Sequence, residues 1–409
     1  MSELRKSIFG INSKRPSRTS VAPGNNFTPV KWTKYFERED DMQLLNGKFH
    51  YYAKGTDGPI LLCLHGGGYS GLTWALFTEE VSNLIECQII AIDIRGHGNT
   101  YTNNDADLSL ETLANDVVEV ASKLTEGNAT PIILMGHSMG GAVAVEAAHN
   151  IDNVVGLCVI DVVEGTALDA LSSMQSILRG RPSHFKSLPQ AIQWCYKGGQ
   201  THNIDAARVS MPGQIVSIKS GKLAADECDL EHIEADLTNT SSKEVIPSVY
   251  ALAEVAEVAE DAEEAENAEE SEENDDHCPD CGKPPIPAKS SKTDFKSPNV
   301  KEEGPSYKWR IDLSKTEKFW TGWFKGLSQK FLDVRIPKLL LLANIHGLDT
   351  TLTVGQMQGK FQMQVLARSG HAIHEDQPHH VAEILSGYLV KQRIATPKST
   401  FVSSSLPAC

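Results

Sequence analysis

Residues 131–142, PIILMGHSMGGA, constrain this chain more than any other stretch. The continuous apolar run Ile132, Ile133, Leu134, Met135 predicts a short buried strand. Gly136-His137-Ser138-Met139-Gly140 follows, a G-x-S-x-G sequence, and the small apolar residues from Gly141 to Ala148 then predict a helix. Strand, tight turn and helix in that order lift a serine hydroxyl to the tip of the turn. Gly136 and Gly140 have no Cβ, so the backbone can turn sharply and the helix can pack close to the strand. The N–H groups at the start of that helix face the position where negative charge would develop on a group attacked by Ser138. Without its flanks the pentapeptide would read as an ordinary glycine-rich loop.

The rest of the chain supplies the sheet that such a turn needs. A hairpin around Asn46-Gly47 joins 43–45 to 49–52, and residues 60–64 form the first continuous apolar run. That run delivers His65-Gly66-Gly67-Gly68 and a helix over 73–85. The strand 89–92 follows and ends in Asp93-Ile94-Arg95-Gly96-His97-Gly98, a turn whose polar groups are expected to brace the site. A helix begins after Ser109, a suitable N-cap. Residues 154–160 form another buried strand, which ends at Asp161. Helices over 167–178 and 188–196 occupy the place of a lid. Order resumes at 307–311, with an aromatic cluster of Phe319, Trp320, Trp323 and Phe324 that reads mainly as core. Strands over 336–343 and 361–366 and a terminal helix complete the pattern. This alternation predicts an α/β fold with a mostly parallel central sheet covered by helices on both faces. Residues 1–40 are expected as a flexible tail. Residues 41–212 and 307–393 form the folded domain, with a lid at about 162–212. Residues 213–306 read as a low-complexity acidic insertion, expected to be disordered, and 394–409 as a C-terminal tail.

Composition narrows the function classes. Of the formal net charge of −15, thirteen negative charges fall in residues 251–276, which hold no Lys or Arg, leaving −2 elsewhere. The acidity therefore belongs to one segment, and nothing points to nucleic acid. No apolar run has the length of a membrane span. Residues 1–18 are basic without the apolar core of a secretory signal. Eight cysteines lack framework spacing, and Cys63 and Cys158 sit inside strand-like apolar runs. Free thiols in a reducing compartment, cytoplasm or nucleus, are expected. His277-Cys278-Pro279-Asp280-Cys281 is half of a zinc knuckle with no second pair beside it, so no metal is expected.

A serine hydroxyl needs a base to take its proton. With the nucleophile on this kind of turn, the chain order is serine, acid, histidine. His371 follows the last strand, in Ser369-Gly370-His371, and is the expected base; His374, His379 and His380 read as surface histidines. The acid stays open between Asp161, at a strand tip, and Asp349, several residues into a polar loop. Its role is to accept the imidazole N–H and fix the tautomer. The oxyanion needs two backbone donors: the N–H of Met139, and one from the glycine turn, Gly67 or Gly68.

Together these residues are similar to a known family. LLCLHGGGYSGLTWALFT, GHSMGGAVAV, VIDVVEGTALDAL with ILRGRPSHFKSL, ARVSMPGQ, IPKLLLLA with GQMQGKFQMQVL, and GHAIHED make the chain resemble the protein phosphatase methylesterases, which are α/β-hydrolases. The likeness covers residues 58–213 and 307–409. It implies hydrolysis of the methyl ester on the C-terminal leucine carboxylate of the type 2A protein phosphatase catalytic subunit, without a cofactor. It carries the family's serine, histidine and aspartate onto Ser138, His371 and Asp161, which favours Asp161 over Asp349. It also implies a site incompletely assembled until the phosphatase docks. A methyl group offers little to recognise, so a docking surface for the partner is expected over 167–211 and near Trp320 on a monomer without membrane attachment. The competing readings are a general small-ester carboxylesterase or lipase, and a non-catalytic scaffold that holds the phosphatase.

Overall fold

A computed structural model of the protein describes residues 26–228, 306–344 and 348–401. The acidic stretch 251–276, Cys278 and Cys281 lie outside the described residues, as do residues 345–347 in the loop after the strand at 338–342.

The central sheet contains eight strands along its main path: β1 (Arg38–Leu44), β2 (Gly47–Lys54), β3 (Ile60–Leu64), β4 (Gln88–Ile92), β5 (Ile132–His137), β6 (Val154–Ile160), β7 (Lys338–Leu342) and β8 (Gln362–Val365). Their spatial order is β1-β2-β4-β3-β5-β6-β7-β8. β2 pairs antiparallel with β1 and β4; every later pair is parallel. The expected mostly parallel sheet is therefore present.

Strand periodicity divides the core in two. Leu62, Leu64, Ile90, Ile92, Ile132 and Leu134 face α2 (Leu110–Leu124) and α3 (Met139–Ala148). The alternating residues Leu61, Cys63, Ile89, Ala91, Ile133 and Met135 face the opposite side. There they pack with Phe77 and Val81 of a helix over Ala75–Leu84 and with Val381, Leu385 and Leu389 of the terminal helix Pro378–Lys391. Side chains at a period of two on a strand buried on both faces produce this split.

Three boundaries differ from the sequence expectation. Residues 26–40 are not all tail: Tyr35 and Phe36 are buried, and the Val30 N–H donates to the Arg208 carbonyl at 2.9 Å. Residues 213–228 are ordered. Ile215–Ser217 pairs antiparallel with Tyr307–Trp309, which in turn pairs with His184–Phe185, a small sheet that closes over the lid helices. At the C-terminus, Thr396–Pro397 pairs with Ile85–Glu86. Each piece is too short to show periodicity and is held by contacts distant in sequence.

Candidate active site

Every candidate residue stands at the C-terminal edge of the parallel strands, where the loops of such sheets gather. Ser138 lies between β5 and α3 with φ 53° and ψ −124°. A side chain in that region costs about 1–3 kcal/mol. Close packing holds it there: a Cβ on Gly136 would sit 2.2 Å from the Gly140 carbonyl oxygen, and one on Gly140 would sit 2.4 Å from that of Leu64. The two glycines let β5, α3 and β3 meet at the corner.

Asp161 directly follows β6 and also has positive φ, 50°. Its N–H donates to the Leu341 carbonyl at 2.8 Å, and its Oδ1 accepts the Ala343 N–H at 2.9 Å. Thus β7 and the residue after it hold Asp161 by its backbone N–H and by one carboxylate oxygen. The free oxygen, Oδ2, lies 2.8 Å from His371 Nδ1. Asp349, the other acid considered, is elsewhere. It caps the helix Thr350–Met357 by accepting the Leu352 N–H at 2.9 Å and also accepts the Ser328 hydroxyl. The structure brings Asp161, not Asp349, to His371.

The loop bearing His371 is tied to the elbow through the residue before the serine. His137 is fully buried and donates its Nε2–H to the His371 carbonyl at 2.8 Å. The two rings lie 4.7 Å apart. Among the described residues, Ser138 Oγ and His371 Nε2 make no hydrogen bond. The imidazole is half-exposed, and proton transfer requires that last contact to close.

The turn after β3 lies against this corner: a Cβ on Gly66 would be 3.2 Å from that of Ser138. Of the two glycines expected to supply the second oxyanion donor, Gly68 is already engaged. Its N–H donates to His97 Nε2 at 2.9 Å. The N–H of Gly67, like that of Met139, has no protein acceptor among the described residues. Asp93 braces the neighbouring turns as expected, accepting the Gly71 N–H at 2.7 Å and the Asn99 N–H at 2.8 Å.

His374 is not a surface residue. It is fully buried between Trp74 and His137, with ring centroids 4.3 and 4.6 Å away. Burial, with His371 nearby, pushes its imidazole down to about 3. His137 and His65 are also driven well below the ordinary value, mainly by burial. Glu375, beside His374, accepts the Thr73 hydroxyl at 2.5 Å. Burial raises its carboxyl to about 7. For His65 and His137 the available sequence signal was a histidine directly before a glycine or the serine of a motif, but their burial depends on tertiary packing; His374, before Glu375, had no such signal.

Beside the glycine turn opens a cleft of about 600 Å³, bounded by Arg179, Arg181, His184, Lys308, Trp309 and Leu313. Leu313 borders the glycine turn directly, within 3.8 Å of where a Gly67 Cβ would lie. The Arg181 guanidinium stacks 3.9 Å over the Trp309 ring, whose Nε1–H donates to the Pro182 carbonyl at 2.7 Å. Trp320 and Trp323 are buried core residues, as expected, and Trp320 also borders the cleft. Among the described residues, no group of three or more His, Cys, Asp or Glu is arranged to hold a metal ion.

A family model described as the alpha/beta hydrolase family matches residues 61–225. The chain is 45% identical to protein phosphatase methylesterase 1 of Mus musculus over 97% of this chain and 94% of the relative. The identity and coverage are the same for the Homo sapiens protein of that name. A Caenorhabditis elegans protein named probable protein phosphatase methylesterase 1 is 35% identical over 95% of this chain and 85% of its own. Among solved structures, E-2-(acetamidomethylene)succinate hydrolase superposes with a TM-score of 0.56 at 15% identity, covering 86% of this chain and 99% of that one. A Mycobacterium tuberculosis esterase gives 0.52 at 17% identity, covering 86% and 92%. These structural likenesses concern the fold alone.

Proposed function

The chain belongs to the protein phosphatase methylesterase family of α/β-hydrolases and is an esterase, and from that premise we propose that it removes the methyl ester from the C-terminal leucine of the type 2A protein phosphatase catalytic subunit, using Ser138, His371 and Asp161. The observation that carries the residue assignment is the 2.8 Å contact between His371 Nδ1 and Asp161 Oδ2, on a loop bound to the elbow of Ser138. The relatives' name, protein phosphatase methylesterase 1, supports a methyl-esterified protein phosphatase as the substrate.

Asp161 accepts the Nδ1–H, which leaves Nε2 bare to take the serine proton. Ser138 Oγ then attacks the ester carbonyl, and the oxyanion receives the N–H groups of Met139 and Gly67. His371 returns the proton to the departing methoxide, releasing methanol. Water, activated by the same imidazole, cleaves the acyl-enzyme to the free carboxylate and restores Ser138. Because the leaving group is so small, selectivity belongs to the partner's tail and body. The cleft beside Gly67 and the lid surface over 167–211 form the docking region in this reading.

Methylated phosphatase mixed with the wild-type protein should release methanol and expose the C-terminal carboxylate. Ser138→Ala should lower that rate by about 10⁴-fold or more while leaving phosphatase binding intact. Unchanged demethylation by Ser138→Ala would refute the mechanism. Rapid turnover of small esters with none on the methylated phosphatase would favour a general esterase.

A further inference from the structure

The two turns at the mouth of the site exchange histidines, and the exchange fixes the backbone around Gly67. His65, in the turn after β3, reaches across to the turn after β4. Its Nε2 accepts the Ile94 N–H at 2.9 Å, and its Nδ1 lies 2.8 Å from its neighbour's carbonyl, Gly66 O. His97, in the turn after β4, reaches back. Its Nε2 accepts the Gly68 N–H at 2.9 Å, and its Nδ1 lies 2.9 Å from the Arg95 carbonyl. The rings meet edge to face with centroids 4.9 Å apart, and both are buried.

Those partners dictate the protonation. A backbone N–H can only donate and a carbonyl can only accept, so in each ring Nε2 is bare and Nδ1 carries the hydrogen. Both rings are therefore neutral. Burial agrees with this, pushing His97 down to about 4 and His65 well below the ordinary value. The second turn is itself anchored, because Arg95 is held in two places by Asp116 of α2, at 2.6 and 2.7 Å.

The consequence for Gly67 follows from peptide planarity. Gly66 C=O and Gly67 N–H share one planar trans unit and point in opposite directions. His65 holds the Gly66 carbonyl, with help from the Tyr69 N–H at 3.2 Å, so Gly67 N–H must face away from His65. The next peptide is held by His97 through Gly68 N–H. A glycine between two unanchored planes would sample many orientations; here both planes are fixed.

We propose that His65 and His97 are positioning residues that pre-orient the Gly67 N–H as an oxyanion donor by anchoring the peptide planes on either side of it. The proposal rests on the reading of Ser138 as nucleophile. Neither histidine touches the reacting atoms. Their contribution is a donor already aimed before charge develops, the property that makes such donors effective.

Paired substitutions separate this role from simple packing. His97→Asn retains a donor for Arg95 C=O but cannot reach Gly68, whereas His97→Gln can still accept the Gly68 N–H. His65→Asn retains the donor to Gly66 C=O, whereas His65→Leu removes it. Each full-length variant is assayed for kcat and KM on p-nitrophenyl acetate and for affinity toward an alkyl trifluoromethyl ketone, which forms a tetrahedral oxyanion on the serine. Thermal melts verify folding, and Ser138→Ala runs alongside. His97→Asn and His65→Leu should lose about 10- to 100-fold in kcat with KM within about twofold, and ketone affinity should fall by the same factor. His97→Gln and His65→Asn should stay within about fivefold of wild type on both measures. A folded His97→Asn with wild-type kcat and ketone affinity overturns the proposal. So does equal impairment of the Asn and Gln variants at position 97. If His97→Asn does not fold, the position-65 pair decides by the same criteria. Retained hydrolysis by Ser138→Ala would instead defeat the underlying reading of the nucleophile.

Discussion

At the scale of single residues, one carboxylate is distinguished from another by what its second oxygen does. Asp161 commits Oδ1 to the Ala343 N–H just past β7 and presents Oδ2 to His371. Asp349 uses one oxygen for a helix N-terminus and the other for Ser328. Asp161→Asn should therefore lower kcat by about 10⁴-fold with little change in melting temperature. Asp349→Asn should leave kcat within about threefold and cost at most about 1 kcal/mol in urea unfolding. Reversed outcomes would exchange their assignments. The sequence could not make this choice by spacing, since both acids follow strands. It misplaced His374 at the surface and gave no partners for His65, His97 and His137. Their motifs were visible, but whether an imidazole faces water or a backbone amide depends on turns that meet only in the folded molecule.

Among the elements, legibility followed burial on both faces. β3, β5, β6 and β7 are near-continuous apolar runs because no side of them meets water. The elbow was readable for the same reason, being fixed by the strand before it and the helix after it. The three-residue strands Ile215–Ser217 and Tyr307–Trp309 were not legible as a pair, because their register exists only across a long intervening segment. Yet this small sheet carries Trp309, which stacks on Arg181 and forms one wall of the cleft. Trp309→Ala removes the stack and the Pro182 hydrogen bond, costing about 2 kcal/mol, a drop of several degrees in melting temperature. It should raise KM for methylated phosphatase several-fold while kcat on p-nitrophenyl acetate stays within about twofold. An unchanged KM would remove this wall from the docking region.

For the whole molecule, the buried carboxyl of Glu375 links stability to pH. Its ordinary value is 4.5 and burial raises it to about 7 in the folded protein. Below 4.5 both states hold the proton and the group has no effect. Between 4.5 and 7 the unfolded chain releases the proton while the folded chain keeps it, so stability falls as pH rises and then levels off. The loss is on the order of 3 kcal/mol. Urea unfolding at pH 5 and pH 7.5 should show a larger decrease for wild type than for Glu375→Gln; equal decreases would show that this carboxyl is not the source.

The antiparallel pairing of Ile215–Ser217 with Tyr307–Trp309, together with the contact between β6 and β7, joins the two portions of chain on either side of residues 229–305. Ser138 and Asp161 belong to the first portion and His371 to the second. Supplied as two separate polypeptides, the portions would each be inert, and recovered turnover would report their reassociation directly. On the proposed triad, the residues of one reaction would come from both portions, held together by these pairings.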